Sequence, residues 1–248
     1  MKSDRKSYPS LTIVICCYNG ELFVEECLNS LINQRKNTQP FNVLFIDDGS
    51  SDQTLSILQK YKEKLLNLKV LINKVNLGVV RSCNLALQNI NTKYFMRLDV
   101  DDYLANDAVI NIENELSSFE AVDFIVFNRW DILQNGNSVK KIQINQDFYN
   151  WTASGVVFKT GAVKTVKGYS DEFWEEIDLF IKLLEAGYKY KISPYFIYCY
   201  RRGHASRTKV VDDNQKGLES LIKKWGHETL QKYGRVSNLL GYYQYDIK

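Results

Sequence analysis

Three carboxylates fall within four residues, Asp99, Asp101 and Asp102, at the end of the apolar run YFMRL (94–98). Carboxylates crowded there repel one another and are costly to desolvate, so the arrangement asks for a positive partner. In D-x-D, Asp99 and Asp101 lie close enough to share a hard divalent cation. Mg2+ and Mn2+ take oxygen ligands and often keep coordination positions for substrate phosphates. The plain alternative is helix capping, which suits Asp102 or Asn106. A second acidic group, Glu175-Glu176-Ile177-Asp178, opens a helical stretch. Acids in a first turn either do base chemistry or merely complement the helix dipole. A third, Asp47-Asp48-Gly49-Ser50, reads as a strand end or a simple turn. In YCYRRGHASRT (198–208), His204 stands among Arg201, Arg202 and Arg207, a phosphate-holding cluster or a solvated basic loop.

The elements that must position these groups alternate. LTIVICCY (11–18) is β-branched and without alternation, as in a parallel strand buried on both faces. Residues 21–34 carry apolar side chains at helical spacing. NVLFID (42–47), KVLIN (69–73) and YFMRLD (94–99) are the next strands. Helices are expected from Ser51 or Asp52 to Tyr61, from about Val79 to Asn89, and after Leu104. Strand–helix alternation with short connections means right-handed βαβ units and a parallel sheet. In such sheets ligands bind beyond the carboxyl ends of the strands, where Tyr18-Asn19-Gly20, Asp47 to Ser50, Asn73 to Gly78 and Asp99 to Asp102 collect. The second half is less regular. Residues 123–133 and 138–145 read as strands, 174–186 as a helix stopped by Gly187, 190–202 as one or two strands broken at Pro194, and 212–233 as a weakly amphipathic helix. Trp151, Trp174 and Tyr169 are either acceptor-side sugar platforms or core. Ser154 and Gly155 are further candidates for the floor of the donor site.

Composition narrows the class. Over 248 residues, 45% are hydrophobic and 25% charged, and the net charge of +3 is too small to indicate nucleic acid. Five cysteines without C-x-x-C spacing suggest reduced, mostly buried thiols, and two histidines exclude a His-rich metal site. Neither a membrane-length apolar run nor a signal-peptide core is present. A cytoplasmic protein is expected, with peripheral attachment at the inner face of the plasma membrane and homodimerisation left open. Neither G-x-x-x-x-G-K-[ST] nor G-x-G-x-x-G occurs, which removes the main support for P-loop and dinucleotide sites.

TIVICCYNGELFVEECLNSLINQ, VLFIDDGSSDQT, NLGVVRSCNLAL and YFMRLDVDD, in this order and spacing, together resemble the inverting family 2 glycosyltransferases of GT-A fold. The likeness covers about residues 10–110 and resumes at FWEEIDLFIKLLEAGYKY (173–190). It implies an α/β, Rossmann-like, nucleotide-diphospho-sugar transferase fold with a mostly parallel central sheet flanked by helices. It also implies a transferase domain over 1–210, with a nucleotide-binding half of about 10–110 and an acceptor-side half of 111–210. A C-terminal helical extension would occupy 211–248.

By the same resemblance, Cys17, Tyr18, Asn19, Asp47 and Asp48 hold the base and ribose of the nucleotide. Asn76, Gly78, Arg81 and Asn84 match the N-x-G-x-x-x-R-x-x-N element, whose Arg lies near the nucleotide. Asp101 is the first choice for a Mn2+ or Mg2+ contact, with Asp99 towards the ribose and His204 completing the metal site or touching the diphosphate. The E-D-x-D-L segment places its usual base at Glu176, a Glu where the family carries Asp, so Glu175 and Asp178 stay in contention. The implied reaction moves a sugar from a nucleotide-sugar donor, with UDP favoured, to a hydroxyl of a glycan or lipid-linked saccharide in surface polysaccharide synthesis. The rival readings are a sugar-nucleotide nucleotidyltransferase, disfavoured by a first loop without Lys or Arg, and a non-catalytic nucleotide- or carbohydrate-binding module.

Overall fold

The structure, a computed structural model, describes residues 10–34, 40–117, 121–133, 139–202 and 211–239. Four parallel strands make its first half: β1 (Leu11–Cys17), β2 (Asn42–Asp47), β3 (Leu68–Ile72) and β4 (Tyr94–Arg97). They lie in the order β3-β2-β1-β4, with Ile15 opposite Phe45 and Ile13 opposite Met96. The crossovers carry α1 (Val24–Ile32), α2 (Thr54–Tyr61) and α3 (Val79–Asn89). β1 and β2 are covered on both faces, as their unbroken apolar sequences require, whereas β3 is the half-exposed edge.

The second half adds β5 (Tyr103–Leu104), α4 (Ala108–Ser117), β6 (Phe124–Leu133), β7 (Val139–Ile142) and β8 (Val156–Lys159). α5 (Thr160–Thr165), α6 (Glu175–Glu185), β9 (Tyr190–Arg202) and α7 (Val211–Tyr233) follow. Two 3-10 turns, Phe148–Asn150 and Ala153–Gly155, precede β8. The sheet continues β4-β8-β6-β9-β5, with β8 antiparallel to both its neighbours, β9 parallel to β6, and β7 paired off the side of β6. One sheet is thus parallel at one end and mixed at the other, in the α/β GT-A arrangement.

Each face of the sheet has its own apolar cluster. One joins Val14, Ile46, Phe95 and Phe158 to α3, α6 and α7, and the other joins Ile13, Phe45, Met96 and Val157 to α1, α2 and α4. Trp151, Trp174 and Tyr169 belong to the first cluster and are buried, so they are core and not sugar platforms. Their neighbours are aromatic too: Trp151 meets Phe180 edge-on at 5.4 Å.

Three elements differ from the sequence expectation. Strand 138–145 ends at Ile142. β9 runs unbroken through Pro194, because its pairing with β6 shifts register between Val126 and Asn128 and accommodates the missing N–H. Asn128 spans that bulge, donating to the Pro194 carbonyl at 3.0 Å and accepting from Ile144 N–H at 2.8 Å. α7 is interrupted at Gly226, whose φ of 77° and ψ of 157° no helix allows. Gly187 ends α6 in the left-handed region, as expected.

Candidate active site

The strand ends β1, β2 and β3 form one laced rim. Asn19 takes φ 52°, donates its N–H to Ser50 Oγ at 2.9 Å, and accepts from Ser51 N–H at 2.8 Å. Gly20 N–H donates to Thr54 Oγ1, and Asp52 accepts from Glu21 and Thr54. Tyr18, 49% exposed, projects from this rim. Asp48 accepts from Asn73 Nδ2 (2.7 Å), Leu77 N–H (3.0 Å) and Gly78 N–H (2.8 Å), so its carboxylate fixes the β3–α3 loop. Gly49 is required there: at φ 77°, a Cβ would meet the Val75 carbonyl carbon at 2.7 Å. Asp47 is fully buried beside Cys17. One of its oxygens accepts from Ser50 N–H, and the other meets no hydrogen-bond donor among the described residues.

Asn76 accepts from Gly78 N–H, and Arg81 is exposed on the first turn of α3. Asn84 faces the other half of the molecule. Its amide donates to the Tyr169 carbonyl (2.8 Å) and accepts from Tyr169 N–H (2.9 Å), over a Gly168 whose Cβ would strike it.

At the end of β4, carboxylate oxygens of Asp99, Asp101 and Asp102 lie within 4.8 Å of one another. Asp99 N–H donates to Ser154 Oγ at 3.0 Å, so the Ala153–Gly155 turn supports this loop from beneath. Asp102 is buried and does not cap α4. Its Oδ1 accepts from Arg201 N–H at 3.0 Å, while Oδ2 finds no donor among the described residues. Arg201 also donates to the Asp101 carbonyl and pairs with Glu26. Burial pushes the Asp102 carboxyl well above the ordinary range, and Asp101 and Asp99 push it further. Burial raises Asp99 too, against the pull of Arg97. An all-oxygen donor set that includes one orphaned buried oxygen fits a hard divalent cation.

The three acids of α6 occupy different environments. Glu175 is buried against Arg97, which donates through one terminal nitrogen at 2.8 Å. Asp178 faces α7, where it accepts from Trp225 Nε1 (2.8 Å) and pairs with Lys224 (2.7 Å) and Lys182 (3.7 Å). Among the described residues Glu176 has no such partner. Burial, helped by the Glu175 charge, pushes its carboxyl up to about 8.

Arg97 was not singled out from sequence, although a lone cation in YFMRL, a run otherwise without charge, signals that an acid must meet it. Arg202 is directed to Asp131 on β6 at 2.8 Å. His204, Arg207 and the tail Gly241 to Tyr245 lie outside the described residues. All five cysteines are free, three of them buried. Among the described residues no helix is long and apolar enough to cross a membrane.

The sheet order is that of the GT-A glycosyltransferase fold. Residues 12–172 match the family described as Glycosyl transferase family 2, and the chain belongs to that family. A Staphylococcus epidermidis teichoic acid poly(glycerol phosphate) polymerase is 38% identical over 100 residues, 40% of this chain but 14% of that protein's length. A Staphylococcus aureus TarS fragment (1–349) in complex with UDP-GlcNAc superposes with a TM-score of 0.70 at 19% identity, over 90% of this chain and 71% of that one. The Pyrobaculum calidifontis mannosyltransferase PcManGT, in complex with GDP-Man and Mn2+, gives 0.66 at 16% identity, covering 97% and 75%. The chain thus spans a small part of the polymerase, and the solved structures share its fold.

Proposed function

We propose that this chain transfers a sugar from a UDP-linked donor to a hydroxyl of a glycan or lipid-linked saccharide, by a single displacement that inverts the anomeric carbon. The observation that carries the reading is the division of labour on α6. Glu175 is held by Arg97 and Asp178 by Lys224 and Trp225, which leaves Glu176 as the carboxyl available to an acceptor. Its raised affinity for protons suits a general base, since it strips an acceptor hydroxyl only when ionised and holds the proton firmly afterwards.

The rim of Tyr18, Asn19, Asp47 and Asp48 supports a nucleoside site, because carboxylate and amide oxygens accept from base N–H groups and ribose hydroxyls. Asp101 and Asp99, with Asp102 beside them, would hold Mn2+ or Mg2+, which when bound offsets the negative charge of the diphosphate. UDP is chosen because TarS, a family relative, was crystallised with UDP-GlcNAc. The transferase domain comprises the nucleotide half of about 10–110 and the acceptor half of 111–210, with 211–248 an extension whose helix packs on α6.

Calorimetric titration of UDP and GDP into the protein, with and without Mn2+, tests this reading. Metal-dependent binding of UDP, weakened at least about 100-fold in Asp101→Ala, is expected. Failure of both nucleotides to bind overturns the proposed donor class. Binding of GDP alone overturns the choice of UDP.

A further inference from the structure

Arg97 is the last residue of a strand whose four residues are all buried. A guanidinium in such a place is tolerated only when it is paired and hydrogen-bonded. Its fork divides between two acids far apart in the chain: Nε donates to Asp99 Oδ1 at 2.7 Å, and one terminal nitrogen donates to Glu175 Oε1 at 2.8 Å. Asp99 belongs to the candidate metal loop. Glu175 is the first residue of α6 and directly precedes Glu176. One rigid, planar cation therefore spans the two places where the proposed reaction needs a carboxylate.

We infer that Arg97 is a positioning residue that sets the metal loop and the base relative to each other. This rests on the glycosyltransferase reading for its purpose, but not for its geometry. By engaging Oδ1, Arg97 fixes how the Asp99 carboxylate is turned within the loop. By holding Glu175, it ties the first turn of α6 to β4. Its charge also acts on Glu176, which is faced by Glu175 from its own helix and by Arg97 and Asp99 from β4 and the following loop. Glu175 and Asp99 favour the protonated base, and Arg97 opposes them.

Carbon-13 NMR titration of the glutamate carboxyls in the full chain, with the Glu176 signal assigned by its loss in Glu176→Gln, tests this without an acceptor. In Arg97→Met the Glu176 midpoint should rise from about 8 by roughly one pH unit. Arg97→Lys, which keeps the charge and loses the fork, should return the midpoint towards wild type. Mn2+-dependent UDP binding should stay about tenfold weaker in the lysine variant, because a flexible ammonium does not orient Asp99. If Arg97→Met does not fold, Glu175→Gln replaces it. That variant removes the neighbouring negative charge and should lower the midpoint. UDP binding with Mn2+ as tight in Arg97→Lys as in wild type, or an unmoved midpoint in folded Arg97→Met, overturns the inference. Midpoints that shift as expected in the variants, while the wild type binds neither Mn2+ nor UDP, would leave Arg97 as the link and refute the donor reading instead.

Discussion

The two halves of the sheet are held by different physics. Around β1 to β3 the strand-end loops are fixed to one another by hydrogen bonds among Asn19, Ser50, Asp52, Asp48 and Gly78, many of them to backbone N–H groups, with glycines where chains touch. Around α6 the fixing is done by ion pairs that cross long sequence distances, Arg97 with Glu175 and Lys224 with Asp178. The first region is specified by close backbone contacts between strand-end loops and tolerates little change of backbone. The second is specified by charge and responds to any change in ionisation.

The contrast breaks most sharply at Glu176. Glu176→Gln should lower turnover by about 10²–10⁴-fold while UDP affinity stays near wild type, as steady-state rates and calorimetry would show. Equal losses in both would assign the residue to donor binding. The next largest effect is expected from Asp178→Ala, which leaves Lys224 and Trp225 without their acceptor. Breaking that half-buried pair should cost about 1–3 kcal/mol, read as an earlier unfolding transition, with nucleotide binding retained. In the other region, Gly49→Ala should cost about 1–3 kcal/mol and weaken UDP binding, because a Cβ at φ 77° drives the β2–α2 loop off Val75. Asn84→Ala, which strips the Tyr169 backbone of both partners at the seam, should cost a similar 1–3 kcal/mol without affecting the Glu176 titration.

A separate effect is one of pH. The folded protein holds the Glu176 proton up to about 8, above the ordinary value of 4.5, so the fold binds more protons than the unfolded chain between those limits. Its contribution is therefore most favourable below 4.5 and is lost as pH rises through 8. Glu176→Gln should gain stability relative to wild type at pH 9 and show no such gain at pH 4. Turnover of the wild type should rise with pH along a limb near 8, in the opposite sense.

Much of the first region was legible because its signals are local. Apolar, β-branched runs without alternation marked the parallel strands, and the polar residues that follow them marked the rim. The helix expected from about Val79 to Asn89 is α3. What sequence hid is pairing at a distance. Nothing near Pro194 says that Asn128 will bridge a bulge and keep β9 whole, and nothing in GVVFK says that β8 will insert antiparallel between β4 and β6. The aromatics near the acceptor side, Trp151, Trp174 and Tyr169, look the same in sequence whether they stack on sugars or on Phe180. Only the second apolar layer supplied by α6 and α7 decides for the core. The same holds for the acids of EEID, whose separate environments depend on Arg97 at one side and Lys224 at the other.

The three donors gathered by Asp48 have a thermodynamic consequence. Because that carboxylate already restrains Asn73, Leu77 and Gly78, the loop beside the proposed nucleotide rim is ordered during folding and not on encounter. Little conformational entropy then remains to be lost when a nucleotide arrives, and association can proceed without a slow loop rearrangement. Discrimination between donors would accordingly fall to the fit of a preset surface, and differences in affinity to the rate at which each nucleotide leaves it.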